Sequence, residues 1–195
     1  MMAHAICEEG VFRMKKTNVR LLVFSALFAS LIVVFAQIQI PLSGMVPISL
    51  ATFGIMMCGL LLGWRWGALA VAVYVLLGAV GLPVFAGFKG GLSALAGPTG
   101  GYIIGYLPYA ILAGVSLPKV QNQFWGRCVL LLLGTAACYF LGTARFMHAT
   151  GRTLGESLGA CVLPFLPGDG AKILLASFLA PRLRNALNHS MPRHA

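Results

Sequence analysis

Residues 21–40 read LLVFSALFASLIVVFAQIQI, twenty positions without a charge. In a helix rising 1.5 Å per residue, a run of this length spans the roughly 30 Å hydrocarbon core of a bilayer. The stretch therefore reads as a membrane crossing, and it is the first of several. Apolar runs bounded by Gly, Pro and charge place helices at about 20–40, 48–63, 66–81, 101–117, 127–146 and 168–185. The segment 153–166 is apolar but short, and reads as a partial or re-entrant helix leading into the last crossing. Of the 195 residues 59% are hydrophobic and only 9% charged, with a mean hydropathy of +0.89. A soluble domain carries about a quarter charged residues. The expected fold is an all-α membrane protein, a six-transmembrane-helix bundle whose outer Gly-rich loops cover a ligand pocket. The length leaves no room for a second soluble domain. The chain divides into an N-terminal tail at 1–19, a membrane-embedded substrate-binding domain at 20–187 and a C-terminal tail at 188–195.

The first crossing has a decoy. Arg13, Lys15, Lys16 and Arg20 ahead of an apolar run imitate a secretory signal peptide, and Val34 and Ala36 resemble a cleavage site. The run continues to Ile40, however, and suits a full crossing, so it is expected to stay in the protein. Met14 is a second candidate start, next to Lys15 and Lys16.

The net charge of +10 could indicate nucleic acid, but no basic stripe with interleaved aromatics appears. The basic residues instead sort by helix end. With the N-terminus inside, Arg13, Lys15, Lys16, Arg20, Arg65, Lys119, Arg127, Arg182, Arg184 and Arg193 fall on the cytoplasmic side. Only Lys89, Arg145 and Arg152 fall outside, a clear positive-inside bias. Both termini are then cytoplasmic in the inner membrane, and loops 82–100 and 146–167 face outward.

Polar chemistry is sparse. Cys7, Cys58, Cys128, Cys138 and Cys161 show no C-x-x-C spacing, which gives no reason to expect a disulfide framework or a metal site. His4, His148, His189 and His194 are scattered and form no H-E-x-x-H motif. No Ser sits in a G-x-S-x-G elbow, and no P-loop is present. The acids are Glu8, Glu9, Glu156 and Asp169, with no pair placed for acid/base work. The chain reads as no enzyme, with no cofactor of its own, and a motor for uphill transport must be supplied by a partner or by ions.

Two clusters remain. At the mouth of the last helix, Pro167-Gly168-Asp169-Gly170-Ala171-Lys172 puts Asp169 and Lys172 three apart, on one helix face. Ionisable residues in spanning segments are functional candidates. The plainer alternative has Asp169 capping the helix and Lys172 snorkelling outward. The second cluster is the glycine-dense loop 81–91, including Phe85, followed by Gly97-Pro98-Thr99-Gly100-Gly101-Tyr102. Dense glycine lets backbone pass close to a ligand or a helix. Tyr102, Tyr106 and Tyr109 then share one helical stripe. Such a stripe is more often bundle core than binding site, and Tyr102 is the member placed to face a ligand.

The run Gly81-Leu82-Pro83-Val84-Phe85-Ala86-Gly87, the Gly90-Gly91 pair, Gly97 to Tyr102, and Leu163-Pro164-Phe165-Leu166-Pro167-Gly168-Asp169 with Lys172 together resemble the BioY family, the biotin-binding substrate-capture (S) components of energy-coupling factor (ECF) transporters. The resemblance covers about residues 20–185. It implies six helices with biotin held near the outer surface, Asp169 and Lys172 on the ureido ring, and the Gly97–Tyr102 segment, with Thr99, along the pocket. It also implies high-affinity biotin uptake driven by a transmembrane coupling subunit and two ATPase subunits. The chemistry agrees: ureido N–H groups need an acceptor such as Asp169, the carbonyl a donor such as Lys172, and the fused rings aromatic walls. The sequence departs from the family where relatives commonly read Val-Pro-Ile-Thr-Leu-Gln. Here Val46-Pro47-Ile48-Ser49-Leu50-Ala51 stands, so Ala51 removes an amide from the pocket side.

Ala26 and Ser30 on the first helix have small-x-x-x-small spacing, which lets another helix approach closely. Gly59 with Gly63, Gly63 with Gly67, and Gly101 with Gly105 share that spacing and read as packing inside the bundle. It is the resemblance that assigns Ala26 and Ser30 to the coupling subunit. The rival function is an ion-coupled secondary carrier for a related small vitamin, with Asp169 taking up a proton. Pairing with Lys172 opposes that uptake.

Overall fold

The computed structural model describes residues 16–40, 46–115 and 123–187. Met14, Arg13, Lys15, Lys119, Arg193 and the tail 188–195 lie outside the described residues. Helix α1 (Lys16–Gln37) leads to a two-residue ribbon in which β1 (Gln39–Ile40) pairs antiparallel with β2 (Ile48–Ser49). Then come α2 (Ala51–Val80), the short α3 (Leu92–Ala96), α4 (Gly100–Ala113), α5 (Phe124–Thr150), α6 (Leu154–Cys161) and α7 (Leu166–Leu187).

Helix α2 is two crossings in one. Gly63 adopts φ 80°, ψ 175°, a conformation essentially reserved to glycine, and the chain doubles back there. Eight residues along a straight helix would separate Gly59 and Gly67 by about 12 Å. Instead, a methyl placed on Gly67 would lie 3.1 Å from the Gly59 Cα, and Cys58 Sγ donates to the Gly67 carbonyl at 3.7 Å. The arms 51–62 and 64–80 are thus antiparallel neighbours. With α1, α4, α5 and α7 they form the six-helix bundle expected from the apolar runs. Helix α4 lies between α2 and α5, α1 packs on α2, and α7 closes against α2 and α5.

The bundle is apolar outside as well as inside. Leu76, Val80, Phe140, Leu174 and Phe178 point outward and are exposed, while Ser25, Thr135, Thr143 and Ser177 are buried. Water would penalise that surface and a bilayer does not, because lipid tails are as apolar as the side chains. Of the long helices, α1 and α5 are each long and apolar enough to cross, α2 is so only by the combined length of its two arms, and α6 and α7 form a pair bent by 51°. Pro164 and Pro167 lie at the bend, Pro164 in the turn that joins the two helices. Pro167 fits the first turn of α7, where its missing N–H costs nothing. A capping box starts α6: Thr153 N–H donates to Glu156 Oε2 at 3.0 Å. The short helix expected from 153–166 is therefore present.

Several helix limits differ from those read in the sequence. The first ends at Gln37, not at 40, because residues 39–40 pair with 48–49. That pairing also delays the second helix to Ala51. The fourth ends at Ala113 and the fifth runs from Phe124 to Thr150. Arms 51–62 and 64–80, and α4, fall short of the ~20 residues of a full crossing. At one end of the bundle their missing turns are replaced by the ribbon and the loop 81–99, which surround a cavity.

Candidate functional site

The cavity lies at the end of the bundle where α1 finishes and α7 begins, and it has two adjoining lobes. The upper lobe is walled by Tyr74, Phe85, Ala86, Thr99, Tyr102 and Ile103. The lower lobe reaches Thr52, Tyr139, Phe165, Asp169 and Lys172. Val46, Pro47, Ser49, Tyr102 and Tyr106 belong to both, so the lobes are two parts of one site.

The first turn of α7 builds the floor. Asp169 and Lys172, one turn apart, are 4% and 8% exposed and form an ion pair of 2.9 Å between Nζ and Oδ1. Lys172 does not snorkel outward. Its ammonium also donates to the Ser49 carbonyl at 2.8 Å and to Thr52 Oγ1 at 3.0 Å. Its three donors are thus matched by three acceptors. Asp169 Oδ2 accepts from the Tyr139 hydroxyl at 2.6 Å. Two hydrogen bonds leave a carboxylate with capacity for about two more, so the floor can still accept donors from a ligand. Neither charge is buried alone, which satisfies the rule for ions in low dielectric.

The walls are aromatic. Tyr74 and Phe85 meet edge to face with centroids 5.6 Å apart. Tyr102 and Phe165 stack at 6.5 Å with planes 10° apart, and Tyr139 approaches Phe165 edge-on. The Tyr102 hydroxyl lies 3.4 Å from the Cys161 carbonyl, to which it donates, and 3.5 Å from Thr143 Oγ1. Such faces with a few convergent polar groups suit a small, flat, partly polar molecule.

Phe85, Thr99, Tyr102, Asp169 and Lys172 therefore meet around one space. Gly97 instead caps α3, its N–H donating to the Ser93 carbonyl at 2.9 Å, and does not line either lobe. All three stripe tyrosines line the lower lobe, and Tyr109 also bonds Thr135 at 2.8 Å. Ala51 is buried and its methyl lines the upper lobe. Ala26 and Ser30 line neither lobe and lie on the exposed face of α1. Reading the sequence missed Tyr139, Thr52 and the carbonyl of Ser49. The available signal was a hydroxyl within an apolar run, which Tyr139 and Thr52 share with many residues. Among the described residues no His, Cys, Asp and Glu group is placed to hold a metal, and the four described cysteines are free and buried.

Residues 12–189 match the BioY family. The chain belongs to the BioY family. Similar proteins include the "Biotin transporter BioY" of Thermotoga maritima, 38% identical over 172 residues, covering 85% of this chain and 96% of that protein. The "Probable biotin transporter BioY" of Pyrococcus horikoshii is 39% identical over 159 residues, 82% of this chain and 93% of that one. Among solved structures, the "S-component for biotin from an ECF-type ABC transporter" superposes with a TM-score of 0.82 at 32% identity, covering 89% of this chain and 95% of that chain. BioY proteins are membrane transport components and not enzymes. The six-helix reading and the family resemblance both stand.

Proposed function

We propose that this BioY chain captures biotin from the outer side of the bacterial inner membrane and serves as the substrate-binding S component of an ECF-type ABC transporter. The observation that carries this is the satisfied Asp169–Lys172–Tyr139 floor beneath aromatic walls, in a chain that belongs to the BioY family. A ureido ring presents two N–H donors and one carbonyl. The remaining lone pairs of Asp169 take the donors, and the carbonyl takes the place of Thr52 at the Lys172 ammonium. Phe165 and Tyr102 face the fused rings.

The domain 20–187 does the binding, and the tails 1–19 and 188–195 are cytoplasmic. Supporting this orientation, Arg20, Arg65, Arg127, Arg182 and Arg184 share the end opposite the cavity, while Lys89, Arg145 and Arg152 share the cavity end. Among the described residues there is no P-loop, so the energy comes from a transmembrane coupling subunit with two ATPase subunits. The exposed Ala26 and Ser30 on α1 offer the coupling subunit a close-packing stripe. Ala51 keeps the upper wall small where relatives carry an amide.

The test is calorimetric titration of biotin into the detergent-purified chain. Saturable one-site binding that is lost in Asp169→Asn and in Lys172→Ala supports the ligand and the floor together. A folded wild type that ignores biotin sinks the reading.

A further inference from the structure

We propose that Lys89 reads the carboxylate of the bound vitamin, and so sets which way round the ligand lies: ureido ring on the Asp169–Lys172 floor, acid tail toward the 85–89 turn. This rests on the biotin reading above.

The charge balance of the site is the first ground. Three charged side chains line the two lobes among the described residues: Lys89 above, Asp169 and Lys172 below. The lower two neutralise each other at 2.9 Å, so the net positive charge of the site resides on Lys89. Biotin has the matching asymmetry. Its fused rings are neutral, and its single carboxyl, of ordinary acidity, is ionised near neutral pH. Placed on the floor, that carboxylate would face the Asp169 carboxylate and compete with it for Lys172. Placed in the upper lobe, it meets a cation. Among the described residues the structure gives the Lys89 ammonium no ion pair, so its donors are open to a ligand.

The second ground is how the turn aims that cation. Phe85 and Lys89 form an antiparallel bridge, Phe85 N–H to the Lys89 carbonyl at 2.9 Å and Lys89 N–H to the Phe85 carbonyl at 3.3 Å. Residues opposite one another on a bridge face the same side, and both line the upper lobe. Between them Gly87 has φ 74° and Phe88 φ 55°. A phenylalanine in the left-handed region is strained and persists only where surroundings hold it. Gln37 at the end of α1 does the holding. Its amide oxygen accepts the Phe88 N–H at 3.0 Å, and its amide nitrogen donates to the carbonyls of Val84 and Phe85 at 3.2 Å each. Phe88 is left 72% exposed and Phe85 is buried, while Lys89, itself exposed, stands at the rim of the upper lobe that it lines.

The experiment compares biotin with biotinamide, in which the acid is neutral, on the full chain in detergent. Calorimetry is run on wild type, Lys89→Met and Lys89→Arg. The expected wild-type preference for biotin is about tenfold, near 1.4 kcal/mol, and it shrinks as salt is raised. Lys89→Met loses that preference while binding biotinamide as wild type does, and Lys89→Arg keeps it. If Lys89→Met retains the preference, or weakens acid and amide equally, the assignment is overturned, because its role is then absent or only structural. A wild type that binds neither compound overturns the biotin reading itself and this assignment with it.

Discussion

Lys172 has three donors and the structure supplies three acceptors, two of them from the ribbon and the start of α2, 123 and 120 residues away in sequence. The pair with Asp169 is therefore a structural clasp as well as a floor. Removing one member of a buried ion pair leaves an uncompensated charge and costs about 3–5 kcal/mol. Lys172→Met should lower the thermal transition in detergent, and the double variant Asp169→Asn/Lys172→Met should recover part of the loss. An equal or larger loss in the double variant would contradict mutual neutralisation. Tyr139→Phe removes the hydroxyl 2.6 Å from Asp169, a bond to a charged group worth about 1.5–3 kcal/mol. Calorimetry should show biotin binding weakened about tenfold or more. At this scale the Asp169–Lys172 pair was legible because i,i+3 spacing on a helix fixes proximity. Tyr139 was not, since only tertiary packing brings α5 to α7. Nor could spacing decide between a snorkelling and an inward Lys172: the acceptors that settle it, Ser49 and Thr52, belong to another element.

Helices meet closely where glycine removes a side chain, and two such contacts shape the walls. A methyl on Gly142 of α5 would overlap the Tyr102 ring, and one on Gly78 of α2 would overlap Phe85. Gly142→Ala and Gly78→Ala should each displace a wall aromatic, weakening biotin binding more than they lower the thermal transition. A pure stability loss with unchanged affinity would argue that the rings do not face the ligand. Gly63→Ala acts elsewhere, forcing an L side chain into a glycine-only conformation at the reversal of α2. A loss of about 1–3 kcal/mol is expected, read by denaturant titration, with biotin affinity per folded molecule unchanged. The apolar runs revealed the crossings because each bilayer passage demands a long one. The ribbon was invisible, being two residues per strand, too short for alternation to register. Helix α3 was equally hidden, five residues without a side-chain cap.

For the molecule as a whole, the outward-facing leucines and phenylalanines describe a protein that lives across a bilayer, with its cavity at one end of the bundle. Proteoliposomes holding this chain alone should bind biotin and fail to accumulate it. Accumulation should appear when a coupling subunit and ATPases are added with ATP. Uptake on a pH gradient alone would favour the carrier reading. Composition made the membrane class readable, because lipid tolerates so few alternatives; the Gly-rich loops pointed to a covered pocket, but not to the three short crossings that leave room for it.

The clasp has an electrical consequence. A transmembrane voltage does about 2.3 kcal/mol of work on each elementary charge it moves through 100 mV, but only on net charge. Asp169 and Lys172, joined at 2.9 Å, offer the field a short dipole in place of a monopole. Any tilt or reorientation that carries the pair through the bilayer therefore moves no charge on its account. Setting the voltage with a potassium gradient and an ionophore should leave its occupancy by a neutral ligand such as biotinamide flat, whether the inside is made negative or positive.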